Sequence, residues 1–272
     1  MYSLHKISVS VIFIFLFSSA SGRDSYFPAA GAVEAGMGWS CVMKPGFWSS
    51  FHNQALLPFN LSAAAGINYH NRFGISELAT KTAAIVVPLE NAGLGLIYSH
   101  FGYRDLARHS AGLGCGLRLS EKISGGIQAD FFAEKTAGEY RERRSLSFEA
   151  GMHIRISEQA SLGIHVFNPV PEALRHDRLP SSLRVGAGLI LSSELKVSAE
   201  TEMSTEGGLD IRVGFEYNPA RNMSLRGGFS STGNCFCFGV GYELKPVQID
   251  LGFSTHDRLG ISTAVSLIFS FK

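Results

Sequence analysis

The sequence predicts an all-β protein: a transmembrane antiparallel β-barrel of about fourteen strands with a short N-terminal plug or hatch segment. Three observations carry this. An apolar leader precedes a chain that holds no long apolar window; alternation at period two runs through most of the remaining residues; and the connections are tight at one end of the strands and longer at the other. Strands of soluble sandwiches average about 5–6 residues, whereas tilted strands that cross an outer membrane need about 9–11, and the alternating runs here are of the longer kind.

Composition excludes other classes. The 272 residues carry 24 Lys+Arg against 23 Asp+Glu, a formal net charge of +1, which leaves no field for holding nucleic acid. Charged residues make up only 17% and hydrophobic ones 45%, with 30 Gly and 20 Phe. So apolar a chain can bury a large surface, which disfavours disorder.

Residues 1–22 read as a cleaved signal peptide: Lys6 gives a positive start, 9–17 (VSVIFIFLF) an apolar core and 18–22 (SSASG) small residues for cleavage. The core is about half the roughly 20 residues that a spanning helix requires, so the segment is a leader and not an anchor. Export of a barrel places it in the outer membrane of a Gram-negative bacterium.

Residues 23–59 form the second unit, the hatch. They lack long alternation, hold both Trp39 and Trp48, and allow a short helix over 48–56 between Gly46 and Pro58. Closing a barrel does not need them, so they are expected to plug its periplasmic mouth.

The barrel occupies 60–272, with strands near 60–70, 78–89, 92–103, 108–119, 122–133, 144–157, 159–168, 180–191, 194–204, 208–218, 222–230, 233–244, 246–255 and 259–271. The last is the clearest: Ile261, Thr263, Val265, Leu267, Phe269 and Phe271 share one face, and Ser262, Ala264, Ser266 and Ser270 the other. Tight turns such as Glu90-Asn91, Ser120-Glu121, Ser192-Ser193 and Lys245-Pro246 fall on the periplasmic side, and the longer loops 71–77, 134–143 and 168–179 on the outer one. Merging one hairpin would give twelve strands. Tyr69, Phe73, Phe101, Tyr103, Phe131, Phe132, Tyr217, Tyr242, Phe269 and Phe271 lie near strand ends, where an interfacial aromatic girdle belongs.

The polar face points inward. It brings to the lumen Glu149, His153, Arg155, Arg184, Lys196, Glu200, Asp210, Arg212, Glu216, Arg226 and Asp250, with His165, Glu202 and Glu243 beside them. Signs are mixed on neighbouring strands, which suits pairing across the interior better than a pore of one sign. Gly126, Gly151, Gly186, Gly188, Gly214, Gly239 and Gly241 on the same face leave room for long charged partners or for curvature.

No catalytic constellation is nominated. The His residues lack metal spacing, no Gly-x-Ser-x-Gly elbow sits on a strand-to-helix turn, and Gly-rich strings such as 224–228 have no following helix. The chain is expected to be no enzyme and to need no cofactor or metal. Cys41, Cys115, Cys235 and Cys237 read as free thiols, since an extended backbone keeps Cys235 and Cys237 too far apart for easy bridging.

The string 31–58 resembles the N-terminal signature of the PorV/PorQ-type outer-membrane proteins within the FadL-like superfamily. Gly31, Ala32, Ala35, Gly36, Met37 and Gly38 match its first run, and Asn53, Ala55 and Leu57 part of its second; Gln54 and Leu56 replace the usual Pro and Gly. The last strand is similar too, although the chain ends on Lys272 after the aromatic Phe271. The resemblance implies a fourteen-stranded barrel with a hatch and one of two roles. The favoured one is a non-enzymatic accessory of type IX-like protein secretion or a binding scaffold at the cell surface, because the lumen reads as charge-paired and not greasy. The alternative is passive transport of hydrophobic small molecules through the hatch and a lateral opening. Expected partners are outer-membrane lipid and secretion-system proteins or secreted substrates, with no nucleic acid. A third class, a surface adhesin, rests on Arg141, Arg143 and Arg144 meeting anionic lipopolysaccharide.

Overall fold

A computed structural model describes residues 30–138, 143–169 and 179–271. The signal peptide, the hatch residues 23–29, Arg141, His176 and Lys272 lie outside the described residues.

Fourteen antiparallel strands close on themselves, each bonded to its sequence neighbours and the last to the first. They are β1 (Ala64–Asn71), β2 (Ala79–Pro88), β3 (Ala92–Tyr103), β4 (Leu106–Arg118), β5 (Ile123–Thr136), β6 (Arg143–Arg155), β7 (Ala160–Phe167), β8 (Ser182–Ile190), β9 (Leu195–Ser204), β10 (Gly208–Ala220), β11 (Met223–Ser230), β12 (Cys235–Leu244), β13 (Val247–His256) and β14 (Gly260–Ser270). Closure pairs Ala64 with Ser270 and Asn71 with Thr263, leaving no free edge. The ladders carry one register shift, between Tyr217 and Ala220 on β10.

Period-two alternation becomes alternation of burial. On β14 the buried positions Ser262, Ala264, Ser266 and Ile268 interleave with exposed Ile261, Val265, Leu267 and Phe269. All round the barrel Leu, Ile, Val and Phe stand outward, among them Leu96 at 53% exposed, Ile127 at 69% and Phe238 at 59%. A water-soluble monomer rarely exposes one continuous apolar patch above a few hundred Å². A band that encircles the barrel is the surface a bilayer covers. No helix among the described residues is long and apolar enough to cross a membrane.

The aromatic girdle needs revision at two positions, the first being Phe101, which shares the luminal parity of Ile97 and Ser99 and pairs with buried Thr80. Tyr69, Tyr103, Phe131, Tyr217, Tyr242, Phe269 and Phe271 are exposed. Phe132 instead points inward, edge-on to buried Phe167 with ring centroids 6.0 Å apart. Its strand position has the parity of the luminal face, which nearness to a strand end does not reveal.

Candidate functional site

The hatch runs inside the barrel. It comprises a short helix α1 (Ala32–Gly36) and two 3-10 turns, Phe47–Phe51 and Gln54–Phe59. α1 packs against β11–β14 and the second turn against β3–β6, so the segment crosses the lumen from one wall to the other. The single helix expected over 48–56 is two turns because Asn53 starts a new one. Its backbone is extended, and its side-chain oxygen accepts from the Ala55 N–H at 3.1 Å. Asn53 also donates to the Val42 carbonyl at 2.7 Å, tying the two halves of the hatch together.

The motif residues are contact residues. Gly31 and Gly38 hold φ of 100° and 65°, a region that favours glycine. Ala35, Met37, Asn53 and Ala55 are buried, and a methyl group on Gly36 would come within 2.9 Å of the Gly239 Cα. The luminal glycines expected to make room for charged side chains mostly receive the hatch instead, its backbone at some positions and its uncharged side chains at others. A methyl on Gly214 would come within 2.5 Å of the Met37 oxygen, and one on Gly252 within 2.5 Å of the Ala32 oxygen. Gly126 faces Ala55, Gly151 faces Asn53, Gly186 and Gly188 face Met43, and Gly239 faces Gly36. Only Gly241 among those named from sequence adjoins a charged pair, Arg226 with Asp250. Sequence shows that a Cβ is missing, not what fills the space.

On one side the lumen is charged. Arg184 donates to Glu200 at 2.7 Å, while the other Glu200 oxygen accepts the Cys41 and Val42 N–H groups at 2.8 Å each. Arg212 bonds Asp210 at 2.7 Å and also reaches Glu200 and Glu202. Arg226 bridges Glu216 at 2.7 Å and Asp250 at 2.8 Å, and hatch Lys44 reaches Glu216 at 2.9 Å. Gln54, one of the departures from the resembled motif, donates to Glu149 at 2.5 Å, and His165 lies 2.9 Å from the same oxygen. His153 is buried against Phe59. Arg155 and Lys196 are exposed at the short-turn end, Arg155 donating to the Glu121 carbonyl at 2.6 Å.

The opposite side is greasy. Val86, Ile97 and Ile268 point inward from β2, β3 and β14 and join hatch residues Phe47, Trp48, Phe51 and Leu57 in one buried cluster. The charge-paired, non-greasy lumen read from sequence therefore describes only half of it. Both faces of 83–87 are apolar, so the alternation that marks the luminal face elsewhere is silent there.

Below the hatch, at the short-turn end, lies a cavity of about 1030 Å³. Val33, Glu34, Met43, Phe47 and Trp48 form its roof, with Arg155 and Lys196 among its walls. Burial pushes the Glu34 carboxyl up to about 7 against the pull of Lys44. Burial likewise lowers His52 to about 3, and its Nε2–H donates to the Ala30 carbonyl at 2.8 Å. His52 and His70 both meet the Trp39 ring, at 6.2 and 5.7 Å, an aromatic contact that no sequence motif announces.

The four cysteines are free, but Cys235 and Cys237 approach to 3.5 Å between sulfurs, closer than expected from their spacing.

No protein-family model matches the chain, and no curated protein sequence does. Solved structures do. A Ralstonia pickettii toluene transporter, TbuX, superposes with a TM-score of 0.70 at 12% identity, over 91% of this chain and 100% of its own. The Pseudomonas putida toluene transporter TodX gives 0.70 at 13%, over 89% and 98%. A Pseudomonas aeruginosa FadL homologue gives 0.67 at 11%, over 89% and 98%. The chain thus has the fold of the FadL-like outer-membrane barrels, and the narrower PorV/PorQ resemblance finds no support in these matches. The expected role as a secretion accessory is overturned by the same finding: the barrels that share this fold are described as transporters. The premise behind it, a lumen without a greasy side, fails as well.

Proposed function

We propose that the protein is a passive outer-membrane channel for small hydrophobic molecules of monoaromatic size, gated by its hatch. The observation that carries this reading is the apolar cluster of Phe47, Trp48, Phe51, Leu57, Val86, Ile97 and Ile268, which joins hatch to wall inside a barrel. The likeness to toluene transporters across nine-tenths of the chain supports it.

A hydrophobic molecule gains free energy wherever apolar surface leaves water, at about 25 cal/mol per Å². Phe47 and Trp48 sit both in the cluster and in the roof of the lower cavity, so the greasy side leads directly into that space. Dispersion contacts are not directional, and the hatch can slide along this side while the charged side holds it. The lower cavity, with Glu34, Lys196 and Arg155 in its lining, is wet enough to release the molecule toward the periplasm.

The test is uptake of labelled toluene by intact cells of a host lacking such channels, with and without the barrel. Faster uptake with the barrel, and unchanged leakage of a hydrophilic sugar, is expected. Equal toluene uptake in both would overturn the reading.

A further inference from the structure

The outer surface carries a row of cationic and imidazole side chains that the channel does not use. Strand register places Tyr69, Lys81, His100, His109, Ala133 and Arg144 side by side across β1–β6. Their parity is that of the lipid-facing residues: two positions nearer the short-turn end, the adjoining row is Ile67, Ala83, Tyr98, Ala111, Phe131 and Leu146. The basic row thus stands where the apolar band stops, at the long-loop end.

The row is organised. The His100 and His109 rings meet at 4.8 Å, and Nδ1 of His109 lies 2.8 Å from the Tyr98 hydroxyl. Lys81 is exposed and has no carboxylate within ion-pair reach among the described residues. Lys135 adds a further outward cation one register step above Ala133. The nearby carboxylate of Glu134 is turned inward onto Arg108. Elsewhere on the perimeter the same end carries Leu183, Met203, Leu209, Phe236 and Ile261, all exposed and apolar. The basic row is therefore one sector and not a general rim.

From Lys81 to Arg144 the row spans four interstrand steps, about 19 Å, wide enough for two phosphates of one headgroup. Cations beside a bilayer surface attract anionic headgroups, and the apolar row beneath accepts acyl chains. We infer that this sector of β2–β6 binds a phosphorylated glycolipid of the outer leaflet, with Lys81, His100 and His109 on its phosphates. This rests on the reading that the long-loop end faces outward. It does not involve the lumen.

The mature barrel in phosphatidylcholine nanodiscs is titrated with bis-phosphorylated lipid A and with the same lipid stripped of its phosphates, and bound lipid is read by native mass spectrometry. The phosphorylated form is expected to bind about tenfold more tightly, and the variant K81Q/H100Q/H109Q, checked for heat-modifiable gel mobility, to lose that preference. Should the triple variant not fold, K81Q alone is expected to weaken the preference. Equal retention of both lipids by the unmodified barrel, an undiminished preference in the folded variant, or equal competition by phosphatidylglycerol would overturn the proposal. Toluene uptake plays no part in this readout, so failure here and failure of the channel reading are distinguishable.

Discussion

The two sides of the lumen hold the hatch by opposite means. Along β8–β13, charge pairs fix it at defined atoms: one Glu200 oxygen holds Arg184 and the other holds two hatch N–H groups. Along β14, β1, β2 and β3, Val86, Ile97 and Ile268 meet Trp48 and Leu57 through apolar contact, and a hydrogen bond from α1 to β14 runs from the Ala32 N–H to the Ser266 hydroxyl at 2.8 Å. The difference teaches where motion is cheap. Breaking a buried charge pair strands a charge in a low dielectric, whereas sliding one apolar surface over another exchanges similar contacts. In the proposed channel, a hatch held mainly by charge on one side and mainly by apolar contact on the other is expected to hinge about the charged side.

The largest effect should come from breaking the anchor. Arg184→Ala leaves Glu200 buried with one of its cations gone, and is expected to destabilise the barrel by about 3–5 kcal/mol in denaturant titration in detergent. An undiminished stability would mean the charged side does not hold the hatch.

Protonation of Glu34 sharpens the comparison next. Its carboxyl is raised from 4.5 to about 7, so the folded chain keeps a proton that the unfolded chain sheds. Its contribution is intact below pH 4.5, declines as pH rises to 7 and stays lost above, a change of about 3 kcal/mol. Glu34→Gln should remove that part of the pH slope, measured as the difference between the two proteins' unfolding midpoints from pH 4 to 8.

On the greasy side, Ile97→Val removes one methylene from a buried position and is expected to cost about 1 kcal/mol. The same change should quicken toluene uptake, because it loosens hatch against wall. Smallest is Lys196→Ala. Its ammonium is 3.9 Å from Glu216 and half exposed, so the change should stay within about 0.5 kcal/mol. A larger loss would extend the anchor down into the lower cavity.

Much of this fold is legible in the sequence, for a physical reason. Where lipid and lumen differ, each strand writes the difference into alternate residues, and 259–271 or 246–255 can be placed to within a few residues. The same logic locates Glu200, Arg212 and Arg226 on the inner face. It fails where both faces are apolar, as at Val86 beside Ile85 and Val87, and there the greasy half of the lumen stays hidden. The hatch contacts are hidden for another reason. Gly214 and Gly252 show an absent side chain, while the Met37 and Ala32 carbonyls that occupy the gap come from residues far away in sequence. Cys235 and Cys237 share a strand face, as alternation requires, but rotamers bring their sulfurs together in a way that spacing does not predict.

The most direct test of the two-sided lumen compares labelled toluene uptake by cells carrying Ile97→Asn with uptake by cells carrying Lys196→Asn, at equal amounts of folded barrel. A greasy path along one wall predicts that Ile97→Asn falls to the level of cells without the barrel while Lys196→Asn keeps the unmodified rate. Equal uptake by the two variants, or loss only in Lys196→Asn, would contradict it.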